Sequence, residues 1–237
     1  MSPRGKLFLI PTIIAEDTQE AVIPAAVRNE LLNIQYFLAE NVRTARRYLS
    51  SLKIYTSIES LDLKVLNKDT AETELSEMFA PVMQGENLGV LSESGCPGVA
   101  DPGALAVKYA HQNHIQVVPL TGPSSILLAL MASGLNGQKF AFQGYLPIDS
   151  KESLPAIKEF ERESRIKNQT QIFIETPYRN NQLSANLLKE LNPETLLCIA
   201  VDVTGSQESI LMRPVKEWRQ KTPELPKLPA VFLFLAH

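Results

Sequence analysis

The chain has 237 residues, of which 44% are hydrophobic and 21% are charged. This composition excludes a largely disordered protein and a collagen-like or low-complexity array. Compact domains mostly have ~100 to 150 residues, so the length allows two small domains or one large one. The 23 basic and 26 acidic residues give a net charge of -3, which does not indicate a nucleic-acid binder by bulk charge. Any RNA contact must therefore be local.

No apolar run approaches the ~20 residues that a membrane-spanning helix needs. The longest runs, Ile126 to Ala132 and Ala230 to Ala236, have seven residues each. The basic start of the chain precedes a short apolar run that Pro11 interrupts, so we do not expect a signal peptide. Cys96 and Cys198 are too few for a disulfide scaffold and are not spaced as a metal site. These features predict a cytoplasmic protein.

Strand and helix patterns alternate along the first half of the chain, while 52–66 has no clear pattern. In chain order we predict strand Leu7 to Ile14, helix Glu20 to Leu32, strand Ile34 to Ala39, helix Val42 to Leu49, helix Ala71 to Met83, strand Leu88 to Leu91, helix Pro102 to Asn113 and strand Ile115 to Pro119. Such alternation is typical of a mainly parallel sheet.

A second series of elements follows. It comprises helix Pro123 to Ser133, strand Phe140 to Gly144, helix Lys151 to Lys167, strand Gln171 to Glu175, helix Pro177 to Leu191, strands Thr195 to Val203 and Gln207 to Met212, and strand Ala230 to Ala236. Gly205 joins two of these strands, which indicates an antiparallel pair. We predict an α/β protein with mainly parallel or mixed sheets, divided into an N-terminal domain 1–120 and a C-terminal domain 121–237.

Three helices are predicted to begin with a proline that follows a cap residue, at Asp101-Pro102, Gly122-Pro123 and Thr176-Pro177. Helix starts offer exposed backbone N–H groups. In open α/β sheets ligands bind at the carboxyl ends of strands, so these starts are candidate binding points. The alternative is that each is simply a good helix start.

The segment Ser92 to Gly103 forms a loop of small residues between a predicted strand and a predicted helix. Such a loop lets the backbone approach a ligand closely. It contains neither Gly-Lys-Ser/Thr nor Gly-x-Gly-x-x-Gly, so its spacing predicts neither phosphate nor dinucleotide binding.

The residues Ser-Glu-Ser-Gly-Cys-Pro-Gly-Val-Ala-Asp-Pro-Gly of this loop resemble a signature of the tetrapyrrole methylase superfamily. The branch that the chain resembles is the small-subunit ribosomal RNA cytidine-2′-O-methyltransferases. Further matches follow in the family's order at Val117 to Ser125, Phe142 to Pro147 and Ile174 to Arg179. The resemblance spans about 7–202. It implies two α/β domains with S-adenosylmethionine in the cleft between them, no metal, and a homodimer that methylates a ribose 2′-hydroxyl of ribosomal RNA.

The resemblance also implies a set of site residues. Those that match positions shaping the cofactor pocket are Pro11, Ser92, Gly95, Cys96, Val99, Ser124 and Ser125. For the two adjacent serines, 124 and 125, helix capping is the alternative. Without a partner histidine, the cysteine is interpreted as a lining residue rather than a nucleophile.

Removal of a proton from a ribose hydroxyl calls for a base, for which carboxylates are candidates. Glu93 and Glu175 are the predicted catalytic residues, with Glu40 as a further candidate; Glu175 is alternatively a favourable charge at a helix start. Arg43 and Arg179 coincide with arginines of the family motifs, and we predict that they bind RNA phosphates. The alternative for each arginine is a solvated surface charge.

Three departures from the family leave the acceptor open. The family's Gly-Asn in the first loop is absent from Pro11 to Glu16, Asn41 replaces an aspartate, and Lys227-Leu228-Pro229 replaces Lys-Gly-Glu. Two alternatives therefore stand beside the RNA methyltransferase: a tetrapyrrole C-methyltransferase, and a cofactor-binding module that has lost catalysis. His111 and His114 have a possible ligand spacing, but no further ligands complete a metal site.

Overall fold

The computed structural model describes residues 4–237. The chain divides into two compact units, Met1–Ser124 and Ser125–His237. The sequence predicts a division four residues earlier, between 120 and 121. Each unit contains one five-stranded sheet and its own hydrophobic core. Within 4–237 no helix is both long and apolar enough to span a bilayer.

The first unit is built on a parallel sheet of order β3-β2-β4-β1-β5. Its elements are β1 (Leu7–Ile10), α1 (Gln19–Val22), α2 (Ala25–Leu31), β2 (Tyr36–Ala39), α3 (Val42–Ser51), β3 (Asp62–Val65), α4 (Glu72–Met78), α5 (Ala80–Met83), β4 (Leu88–Leu91), α6 (Gly103–Gln112) and β5 (Val117–Pro119). Parallel strands need crossover connections, which the helices supply. The sheet buries both faces, one against α2 and α3 and the other against α4 to α6. This explains why central strand β4 is apolar throughout.

The second unit has a mixed sheet of order β6-β7-β10-β8-β9. Its elements are α7 (Ser125–Ser133), β6 (Phe140–Phe142), α8 (Ser150–Lys167), β7 (Thr170–Glu175), α9 (Asn180–Glu190), β8 (Leu196–Val201), β9 (Ser209–Pro214), α10 (Val215–Gln220) and β10 (Ala230–Leu235). Strands β6 and β7 run parallel, and the other neighbours run antiparallel. The antiparallel pair predicted around Gly205 is confirmed as β8 and β9. A core of large aromatic and aliphatic side chains covers the face shared by α8 to α10.

The predicted α/β class with parallel and mixed sheets is confirmed, but several elements differ from prediction. The helix predicted over 20–32 is two helices, because Pro24 adopts an extended conformation between them. The helix predicted over 71–83 is also two, α4 and α5, with the junction at Phe79. Strand β3 lies in the segment without a clear pattern, since its residues are only partly buried at the edge of the sheet. Helix α10 was not predicted.

Each of the three helices predicted to begin at a proline begins later in the chain, so the predicted starts are wrong. Pro102 occupies the cap position before α6, α7 begins at Ser125 rather than Pro123, and α9 begins at Asn180 rather than Pro177. The last two prolines lie in the segments that precede their helices. Those segments, rather than a helical first turn, therefore carry the candidate binding groups.

Candidate functional site

Three loops converge at the carboxyl ends of strands that are neighbours in the first unit, β4, β1 and β5. The loop after β1 is joined to the loop after β4, because Thr12 N donates a hydrogen bond to Gly95 O at 2.9 Å. The Cys96 Sγ lies 3.4 Å from Pro123 O, which joins the loop after β4 to that after β5. The carboxyl ends of parallel strands are where α/β sheets bind ligands. We call the convergence of these loops the three-loop nest.

Glycines allow the backbones of the three-loop nest to approach each other. A Cβ atom on Gly122 would overlap the ring of Pro11. Gly95 has a φ of +72°, and a Cβ there would lie 3.2 Å from both the Pro123 carbonyl oxygen and an Ile14 methyl carbon. Gly122 is therefore required for space, and Gly95 is required for both space and backbone conformation.

The loop after β4 is held rigid by its own side chains. Asp101 Oδ1 accepts hydrogen bonds from the backbone N–H groups of Gly98, at 2.6 Å, and Gly103, at 2.8 Å. Ser94 N donates to Ser92 Oγ at 3.3 Å. A preorganised loop binds a ligand without first losing conformational entropy. Val99 lies exposed on this loop, with 49% of its surface accessible, and offers an apolar contact.

Two polar side chains of the first unit lie at the start of the loop after β1. Tyr48 donates a hydrogen bond from its hydroxyl to Pro11 O at 2.8 Å, and burial raises the Tyr48 pKa, so this hydroxyl keeps its proton. Thr12 is buried, and its Oγ1 has no hydrogen-bond partner among residues 4–237. Buried hydroxyls without partners are costly, so Thr12 offers an unfilled polar contact beside the glycines.

Glu93 is exposed at the start of the loop after β4 and is held by a residue that sequence reasoning missed. Thr44 Oγ1 donates a hydrogen bond to Glu93 Oε1 at 2.6 Å. Thr44 is fixed in turn by Asn41, whose side chain caps α3 by accepting hydrogen bonds from the N–H groups of Arg43 and Thr44. The Asn-x-x-Thr spacing is a local signal for the cap, but nothing in it indicates the contact with Glu93, which is 49 residues away.

The predicted residues Glu175 and Arg179 contact each other in the second unit. Glu175 has a fully buried side chain at the end of β7, and its Oε2 lies 2.9 Å from Arg179 Nη2 in an ion pair. Its Oε1 accepts a hydrogen bond from Thr176 N at 2.7 Å. Oε2 accepts no hydrogen bond among the described residues, so it retains an unfilled acceptor position beside the ion pair. This geometry favours a positioning role for Glu175, and its predicted catalytic role stays a prediction.

The remaining predicted residues divide between the two units. Ser124 ends the first unit, and Ser125 begins α7 in the second. Glu40 and Arg43 are exposed at the start of α3 in the first unit. Burial and the nearby Asp101 raise the Cys96 pKa, which agrees with a lining thiol rather than a nucleophile. Across 4–237, no group of three or more His, Cys, Asp or Glu side chains is arranged to hold a metal ion.

Solved structures with the same fold include methyltransferases. The methyltransferase CobJ matches with a TM-score of 0.61 and 17% identity, over 98% of this chain and 94% of that one. Uroporphyrin-III C-methyl transferase from Thermus thermophilus, complexed with S-adenyl homocysteine, matches with a TM-score of 0.59 and 14% identity, over 98% and 97%. At these identities the likeness establishes the fold.

The family follows from the sequence comparison. The family model for Tetrapyrrole (Corrin/Porphyrin) Methylases matches residues 26–217, so the chain belongs to this family and is a methyltransferase, as the loop motifs predict. Relatives named ribosomal RNA small subunit methyltransferase I include that of Escherichia coli O157:H7, 29% identical over 90% of this chain and 71% of the relative. That of Vibrio cholerae is 29% identical over 89% and 69%. The predicted resemblance to this branch is confirmed.

The ion pair between Glu175 and Arg179 generates a stability prediction. Glu175→Gln keeps the size of the side chain but removes the charge that faces Arg179, so we expect the free energy of unfolding to fall by about 1–3 kcal/mol. Urea denaturation followed by circular dichroism measures this change. The matched control is Glu159→Gln, which breaks an exposed ion pair with Arg162 and should leave the midpoint unchanged. Equal midpoints for the two variants would contradict a structural role for the Glu175 charge.

Proposed function

We propose that the chain is an S-adenosylmethionine-dependent methyltransferase that modifies a ribose 2′-hydroxyl of small-subunit ribosomal RNA. The observation that carries the cofactor assignment is the three-loop nest, in which Gly95 and Gly122 bring three backbones together at adjacent strand ends. The names of the relatives support the RNA acceptor. A homodimer, which the family resemblance implies, and a cytoplasmic location, which the sequence features predict, are part of the same proposal.

The residues of the three-loop nest fit S-adenosylmethionine, which when bound supplies an activated methyl group. The buried hydroxyl of Thr12 would hold a polar group of the ligand, and backbone groups beside Gly95 and Gly122 would contact the ligand with no side chain in between. Val99 and the uncharged thiol of Cys96 provide apolar surface for an adenine ring. Ser92 supports the loop, while Ser124 and Ser125 follow the Gly122-Pro123 segment. The main contribution of these residues to rate is alignment.

Glu93 is the proposed general base. Its Oε1 accepts the hydrogen bond from Thr44, and its Oε2 is offered to the proton of the acceptor hydroxyl. Thr44 fixes the carboxylate against the rigid start of α3, so Glu93 does not have to be ordered when the acceptor binds. Arg43, one residue before Thr44 and exposed, is the proposed phosphate contact of the first unit. Arg179, oriented by Glu175, is the proposed phosphate contact from the second unit.

A second candidate function is a cofactor-binding module without catalysis. The loop after β1 supports it, because the family's Gly-Asn pair is absent there and the segment ends in Ala15-Glu16. The polar contacts of the asparagine amide are therefore missing from this loop. The two candidates share the cofactor and differ in methyl transfer, so turnover on RNA distinguishes them.

The close approach in the three-loop nest predicts how a single methyl group affects cofactor binding. Gly122→Ala places a Cβ where Pro11 lies, so the loop after β1 must move. We expect the affinity for S-adenosylhomocysteine to fall at least ~10-fold, measured by isothermal titration calorimetry, since a binding free energy weaker by ~1.4 kcal/mol has this effect. The matched control is Gly137→Ala, where the added methyl group meets open space. Equal affinities for the two variants would show that the cofactor does not bind at the three-loop nest.

The proposed base predicts a separation between catalysis and binding. Glu93→Gln keeps the shape of the side chain but cannot accept a proton, so methyl transfer to ribosomal RNA should fall by ~10²-fold while calorimetric cofactor affinity stays the same. Thr44→Val should lower the rate without changing cofactor affinity, and Thr44→Ser, which keeps the hydroxyl, should restore the rate. A rate for Glu93→Gln within twofold of wild type would leave alignment as the source of catalysis and exclude this base.

A further inference from the structure

We infer that Tyr178, flanked by Lys227 and Arg179, forms a platform on which an unpaired base of the RNA acceptor stacks. The inference rests on the proposed function, because it takes the acceptor to be RNA. It adds that this surface binds the RNA and that the bound stretch is single-stranded. We call these three residues the Tyr178 platform. All three lie in the second unit, so the platform does not depend on the first.

Tyr178 is a large aromatic side chain held in solvent on an ordered turn. It is 83% exposed and lies between β7 and α9. The turn is closed by Arg179 N, which donates to Thr176 O at 2.9 Å, and is anchored by Glu175, which accepts from Thr176 N. Single exposed aromatic residues are common on protein surfaces, so exposure alone does not indicate a site. The groups that surround the ring are what indicate one.

A second segment of the chain is fixed beside the ring. Lys227 Nζ lies 5.6 Å from the centroid of the Tyr178 ring, a cation–π distance. Two asparagines in the first turn of α9 hold this segment. Asn181 exchanges hydrogen bonds with both backbone groups of Leu225, at 2.8 and 2.9 Å, and Asn180 Nδ2 donates to Leu228 O at 2.7 Å. The ring and the ammonium group are therefore kept together by backbone anchors on each side.

The charge on this surface suits a polyanion. Arg179 is 32% exposed, and its guanidinium group is oriented by Glu175, whose own side chain is fully buried. The side chain beside the ring, Lys227, and that of the next residue along the chain, Arg179, are thus both cationic. A guanidinium group and an ammonium group both bind phosphate oxygens, and neither requires a particular base.

An aromatic ring with one cation beside it and a second at the next residue of the chain is suited to single-stranded RNA. Every base has a π face, so stacking on tyrosine tolerates any sequence, while the cations contact the flanking phosphates. In an A-form duplex the base faces are already stacked on each other, so a duplex offers no free face to the ring. The net charge of -3 means that attraction must come from such a local surface rather than from the whole chain. The Tyr178 platform therefore selects an unpaired stretch of the acceptor.

The test compares variants in binding to a fluorescently labelled RNA oligonucleotide of about 12 nucleotides and mixed sequence, single-stranded or annealed to its complement. We expect Tyr178→Ala to weaken single-strand binding by about 10-fold and Tyr178→Phe, which keeps the ring, to stay within about twofold of wild type. Duplex binding should change by less than this in both. Because Tyr178 is exposed, we expect both variants to fold as wild type does. Circular dichroism and calorimetric binding of S-adenosylhomocysteine check that they are folded.

The contribution of Lys227 is measured separately, from the salt dependence of RNA affinity. For single strands the slope of log affinity against log salt falls by about 0.7 for each phosphate that the protein no longer neutralises. Lys227→Ala should reduce the slope by this amount, whereas Tyr178→Ala should leave it unchanged. The control Lys151→Ala removes an exposed lysine of α8 in the same unit and should not alter the slope, so that a change in net charge alone is excluded.

The outcomes separate this inference from the proposed function. If wild type binds the single strand and Tyr178→Ala binds it equally well, the platform is excluded and the RNA acceptor stands. If Tyr178→Ala weakens single-strand and duplex binding equally, the ring does not select unpaired bases and the inference fails. If wild type binds S-adenosylhomocysteine but neither RNA form, the acceptor assignment fails together with the platform. Loss of S-adenosylhomocysteine binding in Tyr178→Ala would assign the ring to the cofactor instead.

Discussion

The close packing of three backbone loops at the carboxyl ends of β4, β1 and β5 is the constraint on which the rest of the site depends. Gly122 leaves no room for a side chain beside Pro11, and Gly95 adopts a left-handed conformation against Pro123. Loops packed this closely present backbone groups, not long side chains, to a ligand. Because backbone groups cannot remove a proton, our proposal takes the general base from a side chain beside these loops, Glu93, which Thr44 holds.

Much of the fold was predictable because it depends on local patterns. Apolar runs such as that of β4 are typical of strands buried on both faces, and the alternation with helices predicts a parallel sheet. The exceptions have physical causes. Edge strand β3 is only partly buried and so lacks an apolar pattern, and α10 is a short helix whose Trp218 is buried by tertiary packing. Pro24 breaks a helix that periodicity alone continues.

The site was predictable where one segment carries it and not where distant segments meet. The small residues of 92–103 indicate a ligand loop by themselves, and the structure places them at a strand end as expected. The contact of Thr44 with Glu93 joins positions 49 apart, and the fixing of Lys227 beside Tyr178 depends on asparagines of α9. Neither follows from spacing. The pairing of Glu175 with Arg179 is local, yet only the burial of the carboxylate shows that it orients the arginine.

The proposed RNA methyl transfer is tested by incubating the protein with radiolabelled S-adenosylmethionine and small ribosomal subunits isolated without their native modifications, and then mapping the label. We expect label on the ribose 2′-oxygen of one nucleotide of the small-subunit RNA, with no transfer when uroporphyrinogen replaces the subunits. Transfer to the tetrapyrrole, or tight cofactor binding with no transfer to either acceptor, would contradict the proposal.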